Sequence, residues 1–302
     1  MPSPSYALLD SRTALRVGGG DARTFLQGMI SNDVERAGPT AALYSAFLTP
    51  QGKYLHDFFL AELDGELVLD CEAGRLDDLA GRLKRFKLRA DVTLEPLADR
   101  YRIAVIMGDG AAAAFGLPAD AAGRATPVAG GVVYVDPRLA AAGLRAVLPA
   151  DGAAAALEEK GCAAATADDY DRLRTDLGLP DGSRDLVVEK SVLMESGFDE
   201  LNGVDWQKGC YVGQELTART KYRGLTKKRL MPVAIEGPAP AAGTPIFHDE
   251  REAGEMRSAV GDRGLALIRL DAFRRFTADG GAMTADGARL TPHKPDWAAY
   301  GD

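Results

Sequence analysis

Between Tyr6 and Val17 apolar and polar residues alternate around Asp10-Ser11-Arg12, a pattern that predicts two strands joined as a hairpin. Behind them Phe25, Leu26 and Met29 recur at helical spacing, with Asp21 placed to cap the helix by accepting from its free backbone N–H groups. Strands follow at Leu43–Leu48, Tyr54–Leu60 and Leu67–Asp70, punctuated by the turn residues Thr49-Pro50-Gln51-Gly52 and Asp64-Gly65. Leu76, Leu79, Leu83 and Phe86 form the stripe of an amphipathic helix over 74–87, whose basic outer face reads as solvated. Strand-like Tyr101–Met107, Val132–Val135 and Leu144–Leu148 then alternate with Ala-rich helical stretches, an α+β pattern. A helix from Asp168 carries Tyr170, Leu173 and Leu177 inward until Gly178-Leu179-Pro180 stops it. After Gly237-Pro238 the texture changes to short apolar pieces separated by Gly and Pro, which predicts a small all-β unit over 228–302.

At 302 residues the chain is too long for one small core, and its 46% apolar content can fill two or three. No apolar run approaches the roughly 18 residues of a membrane span, and the first residues lack the basic-then-apolar order of an export signal. The reading is a soluble, cytoplasmic protein. Cys71, Cys162 and Cys210 have no CxxC spacing, against a disulfide framework or a self-contained metal site, and fit a reducing compartment. A net charge of -8 argues against general nucleic-acid binding. His56, His248 and His293 lie far from one another and from Cys210 in sequence, so no metal site is expected from the chain alone.

Two segments carry candidate chemistry. Gly108-Asp109-Gly110-Ala111-Ala112-Ala113 satisfies a loose dinucleotide fingerprint, with Asp136 as a ribose partner. It follows antiparallel-looking strands and no doubly wound units surround it, so it reads as a tight turn before a surface helix. The denser constellation runs from Gly203 to Gly224. Gly209 and Gly213 flank Cys210, Lys208 precedes it, and Arg219, Lys221 and Arg223 follow. Glycines free the backbone to bring a thiol to the surface, and cations favour the thiolate, which is the nucleophile and the soft-metal ligand. On local chemistry alone a packing role for Cys210 stands beside a functional one; Cys71 and Cys162 read as packing.

Lys208-Gly-Cys-Tyr-Val-Gly-Gln-Glu215, with the following Arg219 and Lys221-Tyr-Arg223-Gly224, resembles the K-G-C-[FY]-x-G-Q-E motif of the YgfZ family and its mitochondrial relatives. The resemblance extends through Asp21–Gly28, Leu48–Asp57 and Tyr170–Arg174 in the family's order. It implies a fold like the folate-binding part of the glycine-cleavage T-protein, a ferredoxin-like α/β subdomain and a second α+β subdomain over 1–227. The region 40–165 would be inserted between 1–40 and 166–227, and a small β-barrel would occupy 228–302. It implies binding of tetrahydrofolate or a derivative, and a part in assembly, insertion or repair of [4Fe–4S] clusters with iron–sulfur client or assembly proteins as partners. It also implies that Cys210 is the functional thiol, supported by Lys208, with a transient place among cluster ligands open to it. A reduced pterin offers a ring N–H beside an amino group that one carboxylate can accept, and its anionic tail suits a cation. Glu195 falls where T-protein-like sequences place that acid, although the usual Pro-x-Glu here reads Leu193-Met194-Glu195. Asn202, Tyr211, Gln214 and Arg219 are further candidates for the pocket, and Gln51 and Lys53 lie on a loop like the family's.

Three functions compete on these grounds. The first is a folate-binding accessory factor for iron–sulfur maturation that is not a classical enzyme, and the second a folate-dependent aminomethyl- or methyltransferase. The third is a binding module in which Cys210 only packs.

Overall fold

The computed structural model describes residues 4–128 and 130–300. The chain folds into two compact units, one made of the residues up to Leu48 with Leu55–Tyr170 and Leu201–Val212, the other of Thr49–Tyr54, Asp171–Glu200 and the residues from Gly213 on.

The first unit holds two sheets. A six-stranded sheet runs in the order Ala163–Ala164, Ser5–Leu8, Tyr101–Met107, Leu144–Pro149, Gly131–Val135, Ala125–Val128. One face of it buries Ala104, Ile106, Val133, Val135, Leu144 and Leu148 against the short helices Ala111–Ala114 and Ala153–Glu158. A five-stranded sheet runs in the order Leu43–Leu48, Tyr54–Leu63, Glu66–Glu72, Arg12–Gly18, Thr93–Pro96. The expected hairpin at the start of the chain does not form. Its two strands exist, but Ser5–Leu8 pairs with Tyr101–Met107 and Arg12–Gly18 pairs with Glu66–Glu72, so they enter different sheets. Alternation predicts a strand; it does not predict the partner. Asp21 also departs from expectation, because its carboxylate accepts from the Asp91 N–H at 2.8 Å and makes no cap bond to its helix, Ala22–Met29. The glycine-rich turn at Gly108 leads into a single helical turn from a strand with antiparallel neighbours, which is not a dinucleotide-binding context.

Between the two sheets lies a buried ionic layer. Arg12 Nε donates to Asp70 Oδ1 at 2.8 Å, while Arg145 Nε and Nη2 donate to Asp70 Oδ2 at 2.8 and 2.6 Å. Arg138 grips Asp136 with two nitrogens, and Arg138 and Arg145 each donate to the Tyr170 hydroxyl at 3.0 Å. The Phe59 ring lies among these guanidiniums, 3.9 Å from that of Arg145 and 4.8 Å from that of Arg138, and faces them with its negative π surface. Burial works against the Arg145 charge, but Asp70 and Tyr170 more than offset it and its pKa moves up.

His56 reports on the same unit. Its buried ring meets Asp78 Oδ2 at 3.0 Å, yet burial, seconded by Arg75, lowers its pKa to about 4. The unfolded chain would protonate this ring near pH 6.5 and the folded one only near 4, so stability falls as pH drops through that window. The loss amounts to about 3 kcal/mol at its limit. Urea midpoints measured from pH 7 to 4 should decline steeply in the native protein and flatten in His56→Gln; equal slopes would mean that other groups set the acid limit.

In the second unit six strands close into a barrel in the order Lys228–Glu236, Arg263–Arg269, Arg251–Val260, Pro245–His248, Met283–Ala285, Ala288–Pro292. Its core collects Met231, Val233, Ile246, Met256, Ile268 and Leu290, and the helix Leu270–Asp279 packs Ala272 and Phe273 against it. The α+β fold with a closed C-terminal barrel is the one the sequence implied. No helix among the described residues is long and apolar enough to cross a membrane.

Candidate functional site

The loop 201–212 has neither helical nor strand pairing, and polar contacts from the first unit hold it in place. Ser31 donates its hydroxyl to the Gly203 carbonyl at 2.6 Å, and the Ser31 carbonyl accepts the Asp205 N–H at 3.0 Å. Asn32 donates its amide to both the Tyr44 and the Asn202 carbonyl at 2.7 Å. Asp205 then turns the chain by accepting the N–H groups of Gln207 and Lys208 on one oxygen, while Arg36 donates to the other at 3.0 Å. Burial would raise this carboxyl, but those donors hold it below its usual value.

Lys208 is the centre of the arrangement. Its buried ammonium donates to the carbonyls of Gln27, Ile30 and Asn32 at 2.9, 2.7 and 2.7 Å. Gln27 and Ile30 close the Ala22–Met29 helix, so the ammonium satisfies carbonyls that a helix end leaves unpaired, at the end where the helix dipole favours a cation. Burial lowers the Lys208 pKa to about 8, with Asp33 and Asp205 pulling the other way. Three N–H groups meet three carbonyls, so in this geometry Lys208 acts on Cys210 by anchoring its loop. The buried Tyr211 ring lies 5.2 Å from the same ammonium, and the Val212 N–H returns to the Gly28 carbonyl at 3.1 Å. Between these anchors only Gly209 and Cys210 stand exposed. Gly209 has no positive φ and a Cβ there would meet nothing within 4 Å, so its freedom is not what presents the thiol. Gly213 does need to be glycine, with φ +85° at the start of the helix Gln214–Tyr222.

The other cysteines differ sharply. Cys71 is buried in its strand and burial pushes its thiol up to about 12; burial also raises Cys162. No three His, Cys, Asp or Glu side chains among the described residues group as a metal site.

The remaining candidates divide between the units. Asn202, in a left-handed conformation with φ +56°, donates to the Pro137 carbonyl at 3.1 Å and lines a cavity of about 500 Å³ with Asn32, Arg36, Tyr44 and Arg124. In the second unit Glu195 sits half-buried on the turn Leu193–Ser196. No side chain among the described residues hydrogen-bonds its carboxylate; burial raises its pKa, and Lys228, Lys53 and Arg257 oppose that rise. Gln51 and Lys53 line a second cavity of about 230 Å³ with Leu193, Met194, Leu216 and Thr217. Gln214 is half-buried as the first residue of its helix, and Arg219 is exposed on that helix. Lys221 is paired with Asp199 at 2.9 Å. A half-buried carboxylate without a hydrogen-bond partner, and with cations near enough to oppose the rise in its pKa, suits a ligand that presents paired N–H donors and negative charge. Sequence reading missed Ser31, Asn32, Arg36 and Asp205, although the Asp205-x-Gln-Lys spacing is the signature of an Asx turn.

Comparison with known proteins finds relatives along most of this chain. Residues 227–300 match the C-terminal β-barrel domain described for CAF17. The mouse mitochondrial iron–sulfur cluster assembly factor IBA57 is 34% identical over 287 residues, covering 88% of this chain and 78% of its own length. The human protein of that name is 33% identical over 311 residues, covering 96% and 84%. The crystal structure of the glycine cleavage system aminomethyltransferase T from Bartonella henselae superposes with a TM-score of 0.76 over 98% of this chain and 86% of that one, at 16% identity, a likeness of fold alone. The mitochondrial relatives overturn the expectation of a cytoplasmic protein. Free thiols report a reducing compartment and do not distinguish one such compartment from another.

Proposed function

The chain belongs to the IBA57 family of iron–sulfur cluster assembly factors, and on that premise we propose that it serves cluster assembly through the exposed thiol of Cys210 and binds a reduced folate. The observation that carries the reading is the loop itself. The buried Lys208 and Tyr211, with the Asp205 turn before them, anchor it, and between Lys208 and Tyr211 the anchoring leaves Gly209 and the one side chain of Cys210 in solvent. Burying a lysine ammonium is costly, and a structural cysteine would need no such scaffold. The thiolate is a soft ligand that can take one place on an iron–sulfur cluster passing between proteins, with the other ligands supplied by the donor or acceptor.

Folate enters through Glu195. Its carboxylate would accept the ring N–H and amino group of the pterin, and Lys53, Lys228 or Arg257 would meet negative charge on the tail. Titration calorimetry with a stable tetrahydrofolate analogue should show saturable binding, and Glu195→Gln should weaken it by about 1.5–3 kcal/mol through loss of a charge-assisted pair. Absence of heat at millimolar ligand would remove folate from the account. Unchanged affinity in Glu195→Gln would move the pterin contact to another residue.

A further inference from the structure

We propose that the outer face of the helix Gln214–Tyr222 and the turn after it is a docking surface for an acidic protein partner. Arg219, Arg223 and Lys227 are exposed, and none of their side chains has a hydrogen-bond or ion-pair partner among the described residues. The chain carries 44 acidic against 36 basic residues and ion-pairs most of its other arginines. The same stretch exposes Leu216 (38%), Tyr222 (72%) and Leu225 (50%). Positions 216, 219, 222 and 223 fall on one side of the helix, while Thr217 on the other side is buried and donates its hydroxyl to the Gly213 carbonyl.

Unpaired arginine beside exposed tyrosine and leucine is the composition of a protein-binding hot spot, with the aromatic supplying area and the cations supplying specificity. The partner that fits presents carboxylates around an apolar patch. A second copy of this chain fits poorly: a symmetric contact would press like charges together, and an asymmetric one would extend without closing. A nine-residue helix already packed on one side lacks the apolar face to sink into a bilayer. The inference rests on the role in cluster assembly, which requires a protein that gives or takes the cluster.

The test places a photoreactive benzophenone amino acid at position 222 in cells lacking the native protein, with adducts identified by mass spectrometry. One dominant adduct with a net-acidic protein is expected, its yield falling about tenfold in an Arg223→Glu/Lys227→Glu background whose circular dichroism is unchanged. High salt during irradiation of the purified pair should lower it as well. No adduct, an adduct of twice the chain's mass, an adduct with a neutral or basic protein or with nucleic acid, or one indifferent to charge reversal would each overturn the proposal. The adduct should persist in a Cys210→Ala background, so failure of the thiol reading and failure of this surface give different results.

Discussion

Asp70→Ala is expected to cost the first unit about 3–5 kcal/mol, a large part of the stability of an ordinary domain. The carboxylate is 1% exposed and is shared by Arg12 and Arg145, themselves 6% and 2% exposed. Its removal leaves two guanidinium charges in a space where water cannot replace the lost partner. The strand Glu66–Glu72 that holds Asp70 belongs to one sheet and the strand Leu144–Pro149 that holds Arg145 to the other, so the damage falls on the packing of the two sheets. Urea unfolding followed by near-ultraviolet circular dichroism should show an early transition in the variant. Two comparisons keep the prediction exposed. Glu95→Ala breaks the half-exposed pair with Arg100 and a longer one with Arg16 at 3.5 Å, and should cost about 1 kcal/mol. Asp70→Leu/Arg145→Met replaces two of the charges with apolar groups and should lose less than Asp70→Ala alone. If Asp70→Ala matches Glu95→Ala, the ionic layer does not hold the sheets.

This layer also shows where sequence reading ends. Alternation located the strands around Arg12 and Asp70, and the Gly/Pro texture after Gly237 located the barrel, because periodicity and turn chemistry are local signals. Arg12, however, sits in the polar turn of what reads as a hairpin, and nothing local says that it is buried against a carboxylate 58 residues away. Burial of a charge is decided by the partner, and the partner is set by tertiary topology. The same division holds at the loop 201–212. The run Lys208-Gly-Cys-Tyr-Val-Gly-Gln-Glu215 drew attention to this segment, and the structure exposes Cys210 there. The work of Lys208 was not legible, because its three acceptors are backbone carbonyls that any sequence offers and only the fold brings together.

Cys210→Ala should leave folding and folate binding nearly intact and abolish the cellular function. The thiol is exposed and contributes little packing, so its loss falls in the range of ordinary surface substitutions, within about 0.5 kcal/mol. In the native protein an alkylating reagent should modify Cys210 well before Cys71 or Cys162, which are buried and whose thiols burial keeps protonated. The same labelling on Lys208→Met asks whether the anchor matters: with its three carbonyls unsatisfied the loop should loosen, and the rate at Cys210 should change while those at the buried cysteines do not. In cells lacking the native protein, Cys210→Ala and Cys210→Ser should both fail to restore activity of a [4Fe–4S] enzyme, with the deficit largest under oxidative stress, where clusters are lost fastest. Serine keeps the size and polarity of the side chain and removes the soft sulfur, so it separates a chemical need for the thiolate from a need for shape. Rescue by serine but not alanine would assign the residue to docking, and rescue by both would remove the thiol from the function.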